Sequence, residues 1–197
     1  MPVMSNSEGA FCRSAPWRFA ARKLILPWTL MGSELSGSVL ELGSGSGAMA
    51  AEILDRFPQV RLTATDLDPK MLARSRRTLE SFGSRASVQE ADATALPFAQ
   101  EFDAVVSYLM LHHVGDWEIA LAEATRVLKP GGLLLVADLL DNRVVRAGER
   151  LAGSEARPIP RPQLMPVLAG LPLIEVDARP VRNSFVRLRA KRAQLPG

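Results

Sequence analysis

Strand-like apolar runs alternate with segments of helical pattern along most of this chain, and that alternation restricts the fold more than any other feature does. "SVLEL" (38–42) is the first strand-like run, followed by a helical pattern through "GAMAAEILDRF". "VRLTATD" (60–66) is the second. After it, "DPKMLARSRRTLESFG" opens with Asp68 as N-cap and Pro69 at the first helical position, and ends at Gly83. "RASVQEAD" and "FDAVVSYL" read as strands three and four, and "DWEIALAEATRVLKPGG" reads as a helix closed by Pro130 and two glycines. The fully apolar "LLLVADLL" then reads as a strand buried on both faces. Strands spaced by helices are the signature of βαβ units around a parallel sheet, an α/β architecture of doubly wound, Rossmann-like type. Beyond residue 140 the pattern predicts a loop with four prolines, a short helix near "QLMPVLAG", and two closing strands, "PLIEVDARPV" and "SFVRLRAKR".

Ahead of strand one, Trp17, Ala20, Ala21, Leu24, Trp28 and Met31 fall on one helical stripe, with Ser14 as a cap and Pro27 as a kink. Such a stripe serves either as core packing or as a lid over a ligand. The chain therefore divides into an N-terminal helical segment, 1–37, and an α/β domain, 38–197. With 197 residues, 47% hydrophobic and 23% charged, the composition suits one compact domain. The lone cysteine, Cys12, has no internal disulfide partner, and the N-terminus has no apolar signal region, so a cytoplasmic protein is expected. The net charge of +3 is unevenly spread: residues 143–192 carry eleven Lys/Arg against four acids, a net of +7, and the rest carries −4. This basic stretch is either a solvated face or a docking surface for an acidic membrane or polyanion.

The stretch "VLELGSGSG" places Gly43, Gly45 and Gly47 directly after strand one. Without a Cβ, glycine reaches positive φ freely and lets a ligand lie on bare backbone at a helix N-terminus. The same turn fits the dinucleotide pattern through Ala48, so the glycines alone leave the ligand open. Acids at successive strand ends narrow the choice, because ligands of open α/β sheets bind at the carboxyl ends of the strands. Glu41 ends strand one, Asp66 ends strand two and Asp92 follows strand three. Asp66 suits the two hydroxyls of a ribose in any adenosine cofactor. Glu41 sits poorly beside a pyrophosphate but favours a ligand with ammonium and sulfonium charges, as S-adenosylmethionine has.

With "VLELGSGSG", "TATDLDPKML", "EADATALPF", "FDAVVSYLMLHHVGDWEIALAEATRVLKPGGLLLVAD" and "SFVRLRAKR" together, the sequence resembles the class I S-adenosylmethionine-dependent methyltransferases, in the branch of ubiquinone and menaquinone biosynthesis. The resemblance runs from residue 38 to 192 and implies a seven-stranded sheet, mostly parallel, whose last strand, 184–190, inserts antiparallel. It implies that Gly43, Gly45 and Gly47 pack on the methionine part of S-adenosyl-L-methionine, with Glu41 supporting the loop. It further implies Asp66 on the ribose, Leu67 against the adenine, and Asp92 and the Ala93 backbone on the adenine edge. Ser107 and Tyr108 would meet the amino group and border the transfer site. No metal site is implied.

His112 and His113, the two histidines of the chain, stand where such proteins border the acceptor. They either take a proton from a phenol or carbon acid, with His113 favoured for its place nearer the next helix, or they pack and cap that helix. "SYLM" is unlike the N-P-P-[FY] stretch that holds a flipped base, which weakens a nucleic-acid acceptor. The connection after strand five reads as a short Arg- and Pro-rich loop, so an open pocket is expected. Such a pocket suits a small, partly apolar acceptor, a lipid or macromolecule, or a site completed in a homodimer. An NAD-dependent oxidoreductase and a silent adenosyl-binding module are the rival readings.

Overall fold

The computed structural model describes residue 19 and residues 21–154 and 156–194. Cys12, Ser14, Trp17 and Ala20, and the side chain of Ala21, lie outside the described residues, so those parts of the N-terminal expectation have no structural counterpart here.

Seven strands form one sheet: β1 (Gly37–Leu42), β2 (Val60–Asp66), β3 (Ala86–Glu90), β4 (Phe102–Tyr108), β5 (Leu128–Leu139), β6 (Leu173–Val181) and β7 (Phe185–Arg192), in the order β3-β2-β1-β4-β5-β7-β6. β1 to β5 pair in parallel; β7 inserts between β5 and β6, antiparallel to both. The helices are α1 (Leu26–Leu30), α2 (Ala48–Arg56), α3 (Pro69–Leu79), α4 (Trp117–Val127), α5 (Arg143–Leu151) and α6 (Arg161–Ala169).

Two-residue alternation along the buried strands sends neighbouring side chains to opposite layers. Leu40, Val105, Leu134 and Val136 join Trp117, Leu121 and Ala124 of α4 and Leu164 and Leu168 of α6 in one layer. Val39, Ala104, Val106, Leu135 and Ala137 join Leu26 and Leu30 of α1, Ile53 and Leu54 of α2 and Leu79 of α3 in the other. The chain thus winds outward in both directions from the β1–β4 pair, and a crevice opens at the carboxyl ends of strands where the order reverses.

Most predicted elements form where expected: Asp68 caps α3 by accepting a hydrogen bond from the Lys70 amide at 2.8 Å. Three expectations are corrected. First, α4 stops at Val127, before "LKPGG", since Pro130 disfavours a helical residue before it and Gly131 turns to φ 77°. Leu128 is already extended and pairs with Phe102. Second, the connection after β5 is not a plain loop: it carries α5, whose Asn142 N-cap accepts hydrogen bonds from the Val144 and Val145 amides at 2.8 and 2.9 Å. Third, the N-terminal stripe does not run along one regular helix; of its described members, Trp28 packs half-buried against the core. A π-helical turn (Ala21–Ile25) precedes α1 and shifts the helical phase. Leu26, Thr29 and Leu30 go into the core, while Leu24 is 64% exposed. Pro27 lies in the first turn of α1, directly after the π-helical turn.

Arg192, at the end of β7, fastens the end of α4. Its guanidinium donates to the carbonyls of Thr125 at 3.1 Å and Leu128 at 2.6 Å, and to that of Arg126. Those carbonyls lack helical partners, so a charged donor there stabilises the helix-to-strand junction. Arg192→Ala is expected to lower unfolding stability by about 1.5 to 3 kcal/mol, the range for bonds to a charged group. Urea titration measures it, with ligand affinity unchanged because the junction lies at the opposite end of β5 from the crevice.

Candidate active site

Beyond Leu42 the backbone turns through Gly43, Gly45 and Gly47 at φ 63°, 53° and 78°. The three are not equivalent. A Cβ on Gly43 would stand 2.0 Å from Met110 Cγ, and one on Gly47 would stand 2.8 Å from Ser75 Oγ, so protein packing excludes side chains at both. A Cβ on Gly45 would meet nothing within 4 Å. Of the three, only Gly45 combines a positive φ with open space in front of it, the arrangement that lets a ligand approach bare backbone. The turn is held by Ser44 N–H donating to the Thr65 carbonyl at 2.8 Å and Gly45 N–H donating to Asp66 Oδ2 at 2.8 Å. The other Asp66 oxygen accepts from the Asp68 amide at 2.9 Å.

This turn forms one wall of a cavity of about 780 Å³. Leu24, Ile25 and Trp28 from the N-terminal segment, Met49 of α2, Leu139 of β5 and Phe185 of β7 make most of the rest apolar. Glu41, Gly43, Gly45, Tyr108, His112 and His113 all line it, so the structure gathers these predicted site residues into one space. Gly47, Asp66, Leu67, Asp92, Ala93 and Ser107 do not line it. Asp66 reaches the wall only through Gly45, and Ala93 is packed in the core. Asp92 accepts from the amide and hydroxyl of Thr94 at 2.8 and 2.7 Å, and the amide bond first, then the hydroxyl, holds its carboxyl below the usual range.

Glu41 is 2% exposed, and its Oε2 accepts no hydrogen bond from any described residue. Burial first, then the nearby Asp66 charge, raise its carboxyl to a pKa of about 8, against the opposing bond from the Ala50 backbone. The Tyr108 hydroxyl and Ser107 Oγ are likewise buried without a partner among the described residues. Burial, then the Glu41 charge, push the Tyr108 phenol well above its usual value, so it stays a neutral donor. A buried acid and a neutral hydroxyl, both short of partners and beside bare backbone, fit a ligand that carries positive charge better than a pyrophosphate.

Asp138, the lone acid of "LLLVADLL", is a site residue that the sequence reading missed. Fully buried, it accepts from the amides of Met110 at 3.0 Å, Leu111 at 2.7 Å and Leu139 at 2.7 Å, and stands 2.6 Å from His112 Nδ1. Burial alone would raise its pKa, but the His112 charge and hydrogen bond, with the Leu139 and Leu111 amides, outweigh it and lower the value. An ionised carboxylate only accepts, so His112 Nδ1 carries the proton it shares with Asp138. His112 is 5% exposed and its ring lies 4.1 Å from that of His113, tilted by 40°. The signal was present: one carboxylate in an apolar strand, at the carboxyl end where sites form.

Residues 39–132 match the methyltransferase-domain family. A demethylmenaquinone methyltransferase of Thermus thermophilus is 41% identical over 101 residues, covering 51% of this chain and 46% of that protein. The chain spans a little under half the length of the curated relatives it matches. The methyltransferase in complex with the Haloferax volcanii Trm112 activator superposes at TM-score 0.77 with 17% identity, covering 96% of each chain. A Haemonchus contortus phosphoethanolamine N-methyltransferase, solved with S-adenosylhomocysteine, gives 0.72 with 16% identity, covering 98% of this chain and 62% of that one. At such identities the structural likeness establishes the Rossmann-like fold, and the sequence matches establish the resemblance to the ubiquinone and menaquinone branch.

Asp138→Ala would remove the carboxylate acceptor of three backbone amides and of His112 Nδ1. At about 1 to 3 kcal/mol for each buried orphan, a loss of roughly 3 kcal/mol or more is expected. Denaturant unfolding checks this, and Asp138→Asn, which keeps an oxygen acceptor, should lose less.

Proposed function

We propose that the chain is an S-adenosylmethionine-dependent methyltransferase acting on a small, partly apolar acceptor. The observation that carries this reading is Glu41: a buried carboxyl group with an unpartnered oxygen beside the open Gly45 backbone, whose ionised form a cationic ligand favours. An NAD-dependent reading puts a pyrophosphate at that same turn, where it would hold Glu41 protonated and draw nothing from its ionised form, whereas a sulfonium cation gains from that form. The Thermus relative's name favours a quinone-type ring as the acceptor, and the apolar wall of Trp28, Met49, Leu139 and Phe185 supports that class.

S-adenosylmethionine, when bound, supplies an electrophilic methyl group on a sulfonium. On this reading Glu41 and Tyr108 take its methionine end with the Gly43–Gly47 turn, and Ser107 backs them. The resemblance assigns Asp66, Leu67, Asp92 and Ala93 to the nucleoside end. The N-terminal segment, through Leu24 and Trp28, covers the cavity from one side. Positioning an acceptor against the methyl group can by itself lower the barrier by about 7 to 11 kcal/mol, so the chain needs at most one proton acceptor. We assign that part to His112 rather than His113. Asp138 fixes its Nδ1 as a donor, so a proton from a phenol or an acidic carbon goes to Nε2.

Glu41 gives the reading a pH signature. A cation beside it favours the ionised acid, so binding expels its proton wherever the free chain still holds one. Affinity for S-adenosylmethionine is expected to rise by up to about tenfold per pH unit below a pH of about 8 and to level off above it. Calorimetry at several pH values, with S-adenosylhomocysteine and NAD as comparison ligands, measures this. Glu41→Gln should flatten the profile. Tight NAD binding without binding of either adenosyl ligand would overturn the assignment.

Once an acceptor is found, His112→Gln is expected to lower turnover by about 100-fold or more, with S-adenosylhomocysteine affinity near normal. His113→Gln should cost less. Wild-type rates for both would leave transfer to positioning alone.

A further inference from the structure

The cavity does not explain α5. Each of the other described α-helices of more than five residues buries part of itself in the two core layers, but α5 has no fully buried residue. Val144 is 76% exposed and Leu151 is 91% exposed. At about 100° per residue, Val144, Gly148 and Leu151 share one face, Arg143 and Arg150 flank it at roughly 80° to 120°, and Arg146 lies opposite. Glu149 and Ala152 lie between these faces and line the cavity, so the helix borders its mouth. The same mouth is edged by Leu24, 64% exposed, and Phe185, 40% exposed. Asn142 ties the start of α5 to the β6–β7 turn by donating to the Asn183 carbonyl at 2.7 Å and Ser184 Oγ at 3.1 Å, which brings Arg182 to the same end.

Arg146 is held by Asp141. Arg143, Arg150 and Arg182 are exposed and make no side-chain hydrogen bond or ion pair to any described residue. Large apolar side chains in water, flanked by unneutralised arginines, are the pattern of a helix that lies in a lipid interface.

We infer that α5, with the β6–β7 turn and the apolar rim of the cavity, docks on an anionic lipid membrane. The apolar face enters the headgroup boundary and the guanidinium groups pair with acidic headgroups. Two other occupants fit less well. A nucleic acid would engage the arginines and leave Val144 and Leu151 in water. A second copy packed through the same patch would bring Arg143, Arg150 and Arg182 of both chains together, which is repulsive. Among the described residues no helix is long and apolar enough to cross a membrane, so the contact is peripheral. This inference stands apart from the reading of the cavity, because its test uses neither methyl donor nor acceptor.

The test is flotation of the full chain with vesicles of phosphatidylglycerol and phosphatidylcholine in equal parts, against pure phosphatidylcholine and against a DNA oligonucleotide. The chain should float with the acidic vesicles at low salt, and rising salt should weaken the association. Val144→Ser with Leu151→Ser, and separately Arg143→Glu with Arg150→Glu, should each weaken it by about tenfold or more. Both double variants should keep the wild-type melting temperature, since all four replaced side chains are exposed. The inference is overturned by absence of flotation at low salt or by equal binding to pure phosphatidylcholine. It is also overturned if either double variant floats normally, the serine pair's normal binding marking a site for any polyanion. Self-association through the patch without vesicle binding would overturn it too.

Discussion

One buried carboxylate, Asp138, holds the centre of the site together. Parallel strands diverge at their carboxyl ends, and the chain leaving β4 must turn sharply, with Leu109 at φ 52°, before it reaches α4. That turn cannot supply its own acceptors for the Met110 and Leu111 amides. Asp138, on the neighbouring β5, supplies them and takes the His112 ring as well. Fixing Met110 has a second effect, because its side chain fills the space where a Gly43 side chain would be. The position of His112 and the shape of the glycine turn therefore depend on the same acid, across three adjacent strands.

Part of what carries the resemblance lies away from this centre, and its chemistry is structural. In "EATRVLKPGG", Glu123 accepts from the Leu96 amide at 2.8 Å, and Arg126 donates to the Leu96 and Phe98 carbonyls at 2.9 Å each. Together they clamp the loop that follows Asp92. Lys129 pairs with Asp103 at 2.8 Å, and Asp103 accepts from the Ser38 amide at 2.7 Å, which joins the starts of β1, β4 and β5. Gly132 is required because a Cβ there would stand 2.8 Å from the Lys129 carbonyl oxygen. These residues identify the scaffold; the residues that decide chemistry stand at the other end of the strands.

That division explains what could be read from the sequence. Strand and helix periodicity is set by local geometry, so β1 to β7 and the Asp68 cap were legible, as was the glycine turn. The partition of its glycines was not, because whether a Cβ fits depends on Met110 and Ser75, which lie far along the chain. Asp138 was passed over for a similar reason: its partners come from the turn after β4. The N-terminal stripe was legible only in part, since a single π-helical turn moves the phase: Trp28 still packs on the core, while Leu24 is left exposed at the cavity. α5 was hidden because helices are usually read by the apolar face they bury, and this one has no fully buried residue.

Glu41 shows why such a site conflicts with stability. Glu41 and the two orphan hydroxyls sit on adjoining strands, with Glu41 paired in register to Val106 and Leu42 to Ser107. A carboxyl group with a pKa of about 8 in the fold and 4.5 ordinarily is bound to a proton in the folded chain, and not in the unfolded one, between those pH values. The folded state thus binds more protons there, so this group's contribution to stability falls as pH rises from about 4.5 to about 8. A glutamine would fill the same volume without that penalty. The acid is a gain only when a positive charge enters the crevice and makes the ionised form the favourable one. Its desolvation, which weakens the free fold, also leaves its field unscreened for that charge. The feature that most weakens this part of the structure is therefore the one that best defines what it binds.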